Sequence, residues 1–502
     1  MTATPFDDSG VERGPDGGKR YVGQPASLVA MLRASVERSP QAEAVCEIDG
    51  ESLDYQTLWE RAARVAGGLR RQGLRRGDRA AIRLGNGIAW VEAFWGCLLA
   101  GVVVVPVNTR FTEAEAEYVI NDSGANWVFK PGKPLPVGEP EAVEDLRPDD
   151  LAAIFYTSGT TGFPKGAMTS HRNFLSNCET ARRVMDLPRH GPDIRNLVSV
   201  PLFHVTGCNS QLLPTLQQGG TTVIMPEFEV KAFLRAIHDQ HINLLASVPA
   251  IYWLAMNQPE FKNTDVSHVR WVAYGGAPIA PALVRQIQEN FPNARVGNGF
   301  GLTETASITT FLPHEFAAEH ADSVGFPAPV MEVDLLDADP ETGVGELLIR
   351  GSNVVSGYWN KPKATAEAFV DGWLHTGDLA RIDDGGLVYI VDRKKDMINR
   401  GGENVYCVEV ENVLSAHPGI AEVAVVGVSD RMMGEKVGAI VVPMPGQVLD
   451  SGEIVAFCRR QLADFKVPQY ITLSSEPLPR NPGGKVLKPR LRDGVQWGAA
   501  LW

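Results

Sequence analysis

The stretch YTSGTTGFPKG, residues 156–166, follows directly on the apolar run LAAIF, residues 151–155. An unbroken apolar run of this length suits a strand buried on both faces. The loop behind it is made of glycines, hydroxyl side chains, one proline and one lysine. Such a loop can turn backbone N–H groups toward an anion. Gly159 and Gly162 allow close backbone approach, Thr157, Ser158, Thr160 and Thr161 offer hydroxyl donors, Lys165 adds a positive charge, and Pro164 stiffens the chain before it. This is not the Gly-Lys-Ser/Thr loop of P-loop nucleotidases, because Pro164 precedes Lys165 and Gly166 follows it. On composition alone a mobile connector fits the same residues.

The surrounding pattern places the loop in an α/β layer fold. Before it, SLVAMLRASVERS and YQTLWERAARVAGGLRRQG carry apolar residues at helical spacing, while RAAIRL and GVVVVPVN read as buried strands. Residues 131–150, rich in proline and acid, read as a connector. After it come strand candidates NLVSVPL, TTVIM, INLLASV and VRWVAYG, with helices VKAFLRAIHDQH and PALVRQIQENF among them. From about residue 330 short strands with glycine turns suggest a small β-rich subdomain, and a compact α+β unit follows residue 393. The expected organisation is a loose tail over residues 1–26, a large N-terminal domain of parallel-sheet α/β layers over 27–392, a hinge at 393–395 and a small mobile α+β domain over 396–502.

At 502 residues the chain is too long for one core, since domains run to roughly 150 residues. A formal net charge of −13 disfavours nucleic acid and electrostatic attachment to anionic lipid, so an anionic substrate needs a locally positive site. Contact with a membrane through an apolar substrate stays open, and oligomeric state has no reading in the sequence. None of the six cysteines falls in a C-x-x-C pair, which suits buried thiols in a reducing compartment. No window approaches ~18 uninterrupted apolar residues and no apolar signal segment precedes the first helix, so the cytoplasm is the expected compartment.

Three later stretches bear on the loop. NGFGLTETA, residues 298–306, sets Phe300 between glycines, where a flat ring could stack on a base, and Glu304 could hold magnesium. The plainer alternative is a strand end and a capped helix start. GWLHTGDLA, residues 372–380, carries Asp378 in a tight turn, where a carboxylate can take both hydroxyls of a ribose. An Asx-turn would look the same. PRNPGGKVLK, residues 479–488, carries Lys485 on a glycine loop, otherwise an ordinary surface lysine.

Together, in this order and spread, these four stretches resemble the adenylate-forming superfamily of acyl-CoA synthetases, adenylation domains and luciferases. DRKKDMINRGGENVY, HTGD and NPGGK support the likeness independently, and it extends from about residue 27 to residue 490. The resemblance implies a two-step ligase: a carboxylate attacks the α-phosphate of ATP, pyrophosphate leaves, and a thiol then displaces AMP. It implies ATP and coenzyme A as co-substrates, with magnesium, and a small domain that rotates between the steps. By motif, Thr157, Ser158, Gly159, Thr160, Thr161, Gly162 and Lys165 would hold the β- and γ-phosphates. Gly275, Gly276, Ala277 and Pro278, from AYGGAP, would contact the adenine and border the acyl chain. Asn298, Gly299, Phe300 and Gly301 would line the adenine, with Phe300 where the family usually has tyrosine. Thr303 would touch the α-phosphate and Glu304 would bind magnesium. Asp378 and Arg393 would hold the ribose, Lys395 falls at the hinge, and Lys485 matches the adenylation lysine.

Within that family likeness, PLFHVTG puts His204 at the gate between acyl and pantetheine channels. The alternative is a satisfied core histidine. No aspartate stands there to pair with an amino acid's ammonium. Arg400, Gly401, Gly402 and Glu403 would form the pantetheine wall, Arg400 and Cys407 being departures from the common pattern. Cys407 reads as packing, since the mechanism needs no enzyme thiol. The candidate acyl pocket, Val205, Thr206, Gly207, Cys208, Tyr274 and Ser307, is small or neutral, so a dicarboxylic acid is disfavoured. A medium- or long-chain fatty acid is the expected substrate and free coenzyme A the thiol. The alternatives are an aromatic or ring-bearing acid, a fatty-acyl-AMP-forming or luciferase-like enzyme without coenzyme A, and a non-catalytic binding protein.

Overall fold

The computed structural model describes residues 4–15, 17–157, 163–277, 279–480 and 486–502. The chain divides into two compact units. Unit 1 comprises Met1–Asp334, Leu348–His375 and Asp384–Val388; unit 2 comprises Leu335–Leu347, Thr376–Asp383 and Tyr389–Trp502. The border therefore differs from a single cut near residue 392, and the expected β-rich subdomain is shared out between the units. The border falls inside the strands Gly345–Gly351 and Trp373–Ile382.

Among the described residues, unit 1 holds a nine-stranded sheet in the order Phe326–Pro327, Thr310–Leu312, Arg295–Phe300, Trp271–Gly275, Leu244–Ser247, Arg195–Val198, Thr221–Ile224, Glu43–Glu47, Ser52–Asp54. Its central pairs are parallel. A five-stranded sheet runs Trp127–Phe129, Arg79–Ile82, Val103–Pro106, Leu151–Thr157, Lys165–Ser170.

Alternate residues of each strand face different cores, which is why the strands read as unbroken apolar runs. Ala80, Ile82, Val104, Ala153, Phe155, Val198 and Ile224 enter one core with the helices Leu28–Arg38, Tyr55–Arg71, Ile88–Leu99 and His171–Val184. Their strand neighbours Leu197 and Val223 face the helices Val230–Asp239 and Pro281–Asn290 in a second core. Ala81, Val105 and Ile154 face the helix Glu113–Ser123 in a third. Helix, sheet, helix, sheet, helix is the layer order of unit 1. In unit 2, a sheet in the order Glu403–Val405, Ile398–Arg400, Gly434–Pro443, Ile420–Asp430, with Tyr470–Leu473 on Gly434–Pro443, packs on the helices Cys407–Ser415 and Ser451–Arg459.

Two expectations need correction. The N-terminal segment is not a loose tail: Val11–Arg13 pairs with Lys19–Tyr21, Phe6 and Tyr21 are buried, and Arg183 donates to the carbonyls of Asp7 and Ser9 at 2.8 Å each. Asp378 lies within the strand Trp373–Ile382 and not in a tight turn; Gly377, with φ 68°, supplies the local kink that the sequence showed as a turn. The connector over 131–150 has no regular elements but is docked, since Gly138 and Glu141 donate backbone hydrogen bonds to Arg64 and Ala63 of the helix beneath.

Candidate active site

The loop 156–166 joins two strands and does not lead into a helix. Leu151–Thr157 pairs antiparallel with Lys165–Ser170, and Thr157 sits opposite Lys165. Ser158, Gly159, Thr160, Thr161 and Gly162 lie outside the described residues, but both ends of the loop are pinned by this ladder. Phe163 stacks on Tyr118, with ring centroids 4.6 Å apart. Tyr118 belongs to the helix Glu113–Ser123, whose Asp122 accepts from Tyr156 at 2.8 Å and from Lys361 at 2.7 Å.

The strands Trp271–Gly275 and Arg295–Phe300 end side by side, Gly275 opposite Gly299. A Cβ at Gly275 would lie 2.2 Å from the Gly299 carbonyl, so only glycine permits this approach. Gly276, with φ 74°, turns the chain off the sheet, and a Cβ there would meet Val248 at 3.8 Å, an ordinary contact. Ala277 is exposed; Pro278 lies outside the described residues. Phe300 and Gly301 continue the strip, but Asn298 turns inward, is 8 % exposed and donates to the Ser323 carbonyl at 3.2 Å. Its observed partner is a fold contact.

Beyond the strip the chain makes a short turn, Thr303–Thr305, and then takes positive φ at Ala306 (50°) and Ser307 (124°). Two consecutive non-glycine residues in this region are strained and must be held from outside. Three buried asparagines do so. Asn209 donates to the Ala306 carbonyl at 2.9 Å, Asn353 donates to the Ile308 carbonyl at 2.8 Å, and Asn177 accepts the Ile308 N–H at 2.9 Å. Val355 N–H donates to the Glu304 carbonyl at 2.9 Å. The Glu304 carboxylate accepts from Tyr358 Oη at 2.7 Å, and the face of the same ring lies 5.1 Å from Lys165 Nζ. Lys165 and Glu304 thus meet on one tyrosine. The asparagines and Tyr358 were missed in the sequence, since neither an amide nor a phenol advertises its role by charge.

A hard carboxylate oxygen suits magnesium. Among the described residues no group of three or more His, Cys, Asp or Glu could enclose a metal ion.

His204 stands at the N-cap position of the short helix Val205–Gly207 without a side-chain capping bond, and its ring packs on Phe203 at 4.7 Å. Burial, with a smaller effect from Arg110, pushes its imidazole down to about 4, so it is neutral near pH 7. A π-helix, Cys208–Leu212, follows. Such bulges recur at functional sites, and this one sets Ser210 Oγ against Ser307 Oγ at 2.5 Å. Cys208 is fully buried, Val205 and Thr206 are half-buried, and Tyr274 sits in the second core, 2 % exposed.

In unit 2, Arg393 Nε lies 2.6 Å from Asp378 Oδ1, and Asp378's side chain is only 4 % exposed. Lys395 is exposed just beyond the strand Val388–Arg393. Gly401 and Gly402, φ 64° and 96°, form a two-residue hairpin turn with Arg400 opposite Glu403. Positive φ at both central residues is the type I′ signature, which alone explains the glycine pair. Arg400 Nη1 is 3.7 Å from Glu403, its side chain 16 % exposed. Cys407 is buried, its S–H donates to the Asp396 carbonyl at 3.0 Å, and burial raises its thiol far above the ordinary range. It is a packing residue. Lys485 lies outside the described residues; Lys488, three positions on, pairs with Glu411 at 2.8 Å.

The chain matches the AMP-binding enzyme family over residues 32–138 and 130–359, and the AMP-binding enzyme C-terminal domain over 409–485. It therefore belongs to the AMP-binding enzyme family. It is 38 % identical over 478 residues to a feruloyl-CoA synthase of Amycolatopsis, covering 90 % of this chain and 96 % of the relative. It is 34 % identical over 497 residues to a long-chain-fatty-acid–CoA ligase of Mycobacterium tuberculosis, covering 92 % and 97 %. Its fold superposes on o-succinylbenzoate coenzyme A synthetase of Bacillus subtilis with ATP and magnesium at a TM-score of 0.84 and 29 % identity, covering 92 % of this chain and 99 % of that one. The chain is an AMP-forming acid–thiol ligase of the acyl- or aryl-CoA synthetase type, using ATP with magnesium and coenzyme A.

Proposed function

We propose that the described site activates an apolar monocarboxylic acid, and that a substituted aromatic acid is its preferred substrate. The meeting of Lys165 and Glu304 on Tyr358 carries the reading of the site: a cation for phosphate and a carboxylate for magnesium, from the ends of two different sheets, are held on one tyrosine. The glycine strip, Gly275, Gly276, Gly299 and Gly301, would take the adenine, Asp378 and Arg393 the ribose, and Thr303 the α-phosphate. Ser158, Gly159, Thr160, Thr161 and Gly162 would cradle the terminal phosphates. Lys485 would offset the repulsion between the acid and the nucleotide, which at ~4 Å separation amounts to roughly 1–4 kcal/mol. With magnesium bound, phosphate charge is partly neutralised. Arg400, Gly401, Gly402 and Glu403 would border coenzyme A, with Lys395 the hinge.

For the acid, the Ser210–Ser307 hydroxyl pair, whose Ser210 lies on the π-helix that follows the helix opened by His204, offers polar contacts that ring substituents can use and an alkyl chain cannot. The similarity to feruloyl-CoA synthase supports the same choice. A medium- or long-chain fatty acid is the second reading, supported by similarity to the long-chain ligase. Incubation with ATP, magnesium and coenzyme A across hydroxycinnamates, benzoates and fatty acids of graded length decides between them. The expected result is kcat/KM at least ~10-fold higher for hydroxycinnamates than for any fatty acid, the scale of one well-made polar contact. A fatty acid as best substrate would reverse the order of the two readings.

A further inference from the structure

Tyr358 is fixed by backbone on both sides. Trp359 N–H donates to the Gly166 carbonyl at 2.8 Å and Met168 N–H to the Gly357 carbonyl at 3.0 Å, which ties the segment to the strand that begins at Lys165. Val355 N–H donates to Glu304 on the opposite side. Tyr358 N–H donates to Thr365 Oγ1 at 3.0 Å, and the ring meets Phe369 edge-on at 5.7 Å. The side chain is 8 % exposed and has little freedom. Its hydroxyl donates to Glu304 Oε1, which leaves Oε2 as the oxygen able to face a cation.

We propose that Tyr358 is a positioning residue for the magnesium-bound nucleotide, its hydroxyl orienting the Glu304 carboxylate and its ring face steadying the Lys165 ammonium. The proposal rests on the reading of Glu304 and Lys165 given above. The choice of a tyrosine has a chemical reason. A lysine or arginine partner would orient Glu304 but neutralise it, and would compete with the metal. A phenol donates one hydrogen bond and leaves the negative charge in place. The ring attracts an ammonium through its quadrupole and leaves the positive charge in place. One neutral side chain thus holds two opposite charges ready without letting them cancel, and ordering the carboxylate beforehand lowers the cost of binding.

The test is calorimetric titration of the full chain with ATP, once with magnesium and once with chelator, for wild type, Tyr358→Phe, Tyr358→Leu and Glu304→Gln. Tyr358→Phe keeps the ring and its packing on Phe369. It should bind magnesium-ATP ~10-fold more weakly, the usual effect of losing a partner of a metal-holding carboxylate. Metal-free ATP should bind within about twofold of wild type, because the face over Lys165 is retained. In steady state the half-saturating magnesium concentration should rise ~10-fold, with kcat at saturation nearly unchanged. Tyr358→Leu should weaken metal-free ATP as well. Wild-type magnesium dependence in Tyr358→Phe, or equal losses with and without metal, would overturn the proposal while Glu304→Gln still loses its magnesium dependence. Glu304→Gln behaving like wild type would overturn the reading of Glu304 itself, and the proposal with it.

Discussion

His171 shows how one buried side chain sets a stability window. It opens the helix His171–Val184, is 2 % exposed, and accepts the Leu28 N–H on Nδ1 at 3.2 Å. Burial pushes its imidazole down from 6.5 to about 4. Above pH 6.5 both folded and unfolded chains carry it neutral. As pH falls toward 4 the unfolded chain takes a proton that the folded chain refuses, so stability drops by up to about 3 kcal/mol and levels off below. His171→Asn keeps an acceptor for Leu28 and removes the titration. Chemical denaturation from pH 7 to 4 should show a shallower loss than wild type; an identical pH slope would contradict the assignment. At this scale charge drew attention to Lys165, Glu304, Asp378 and Arg393, which the structure places in two groups, Lys165 and Glu304 on Tyr358 and Asp378 against Arg393. The sequence was silent on His171, Tyr358 and the three asparagines, whose roles depend on what surrounds them.

Among elements, the helix Tyr55–Arg71 contains Gly67 and Gly68 where alanine would raise helix propensity by ~1 kcal/mol each. The glycines have a packing cause: a Cβ at Gly67 would lie 1.8 Å from the Glu139 carbonyl, and one at Gly68 would lie 2.3 Å from the Pro136 carbonyl carbon. The connector's backbone lies directly on the helix. Gly67→Ala should therefore destabilise unit 1, the overlap costing ~1–3 kcal/mol or more and outweighing the propensity gain. Urea melts read the sign, and a stabilised variant would contradict the docking. The strands around the loop were legible because burial on both faces writes unbroken apolar runs. The helix Ile88–Leu99 was not, because it is apolar nearly all round and shows no stripe. The connector's docking and the N-terminal hairpin were hidden for a related reason: backbone-to-backbone contact leaves no side-chain pattern.

For the whole molecule, four short stretches spread over the chain pointed to the family that the whole-chain comparison shows. The border between units was less legible, since strands cross it. Acid activation should need Lys485, from the C-terminal part of the chain, and thioester formation should not. The direct measurement is a pair of half-reactions on Lys485→Ala: acid-dependent pyrophosphate release from ATP, and coenzyme A-dependent AMP release from supplied acyl-adenylate. The first should fall ~10²–10³-fold, the usual cost of removing a charge placed for the transition state, while the second stays within about twofold. Equal loss in both halves, or none in the first, would contradict this role of Lys485.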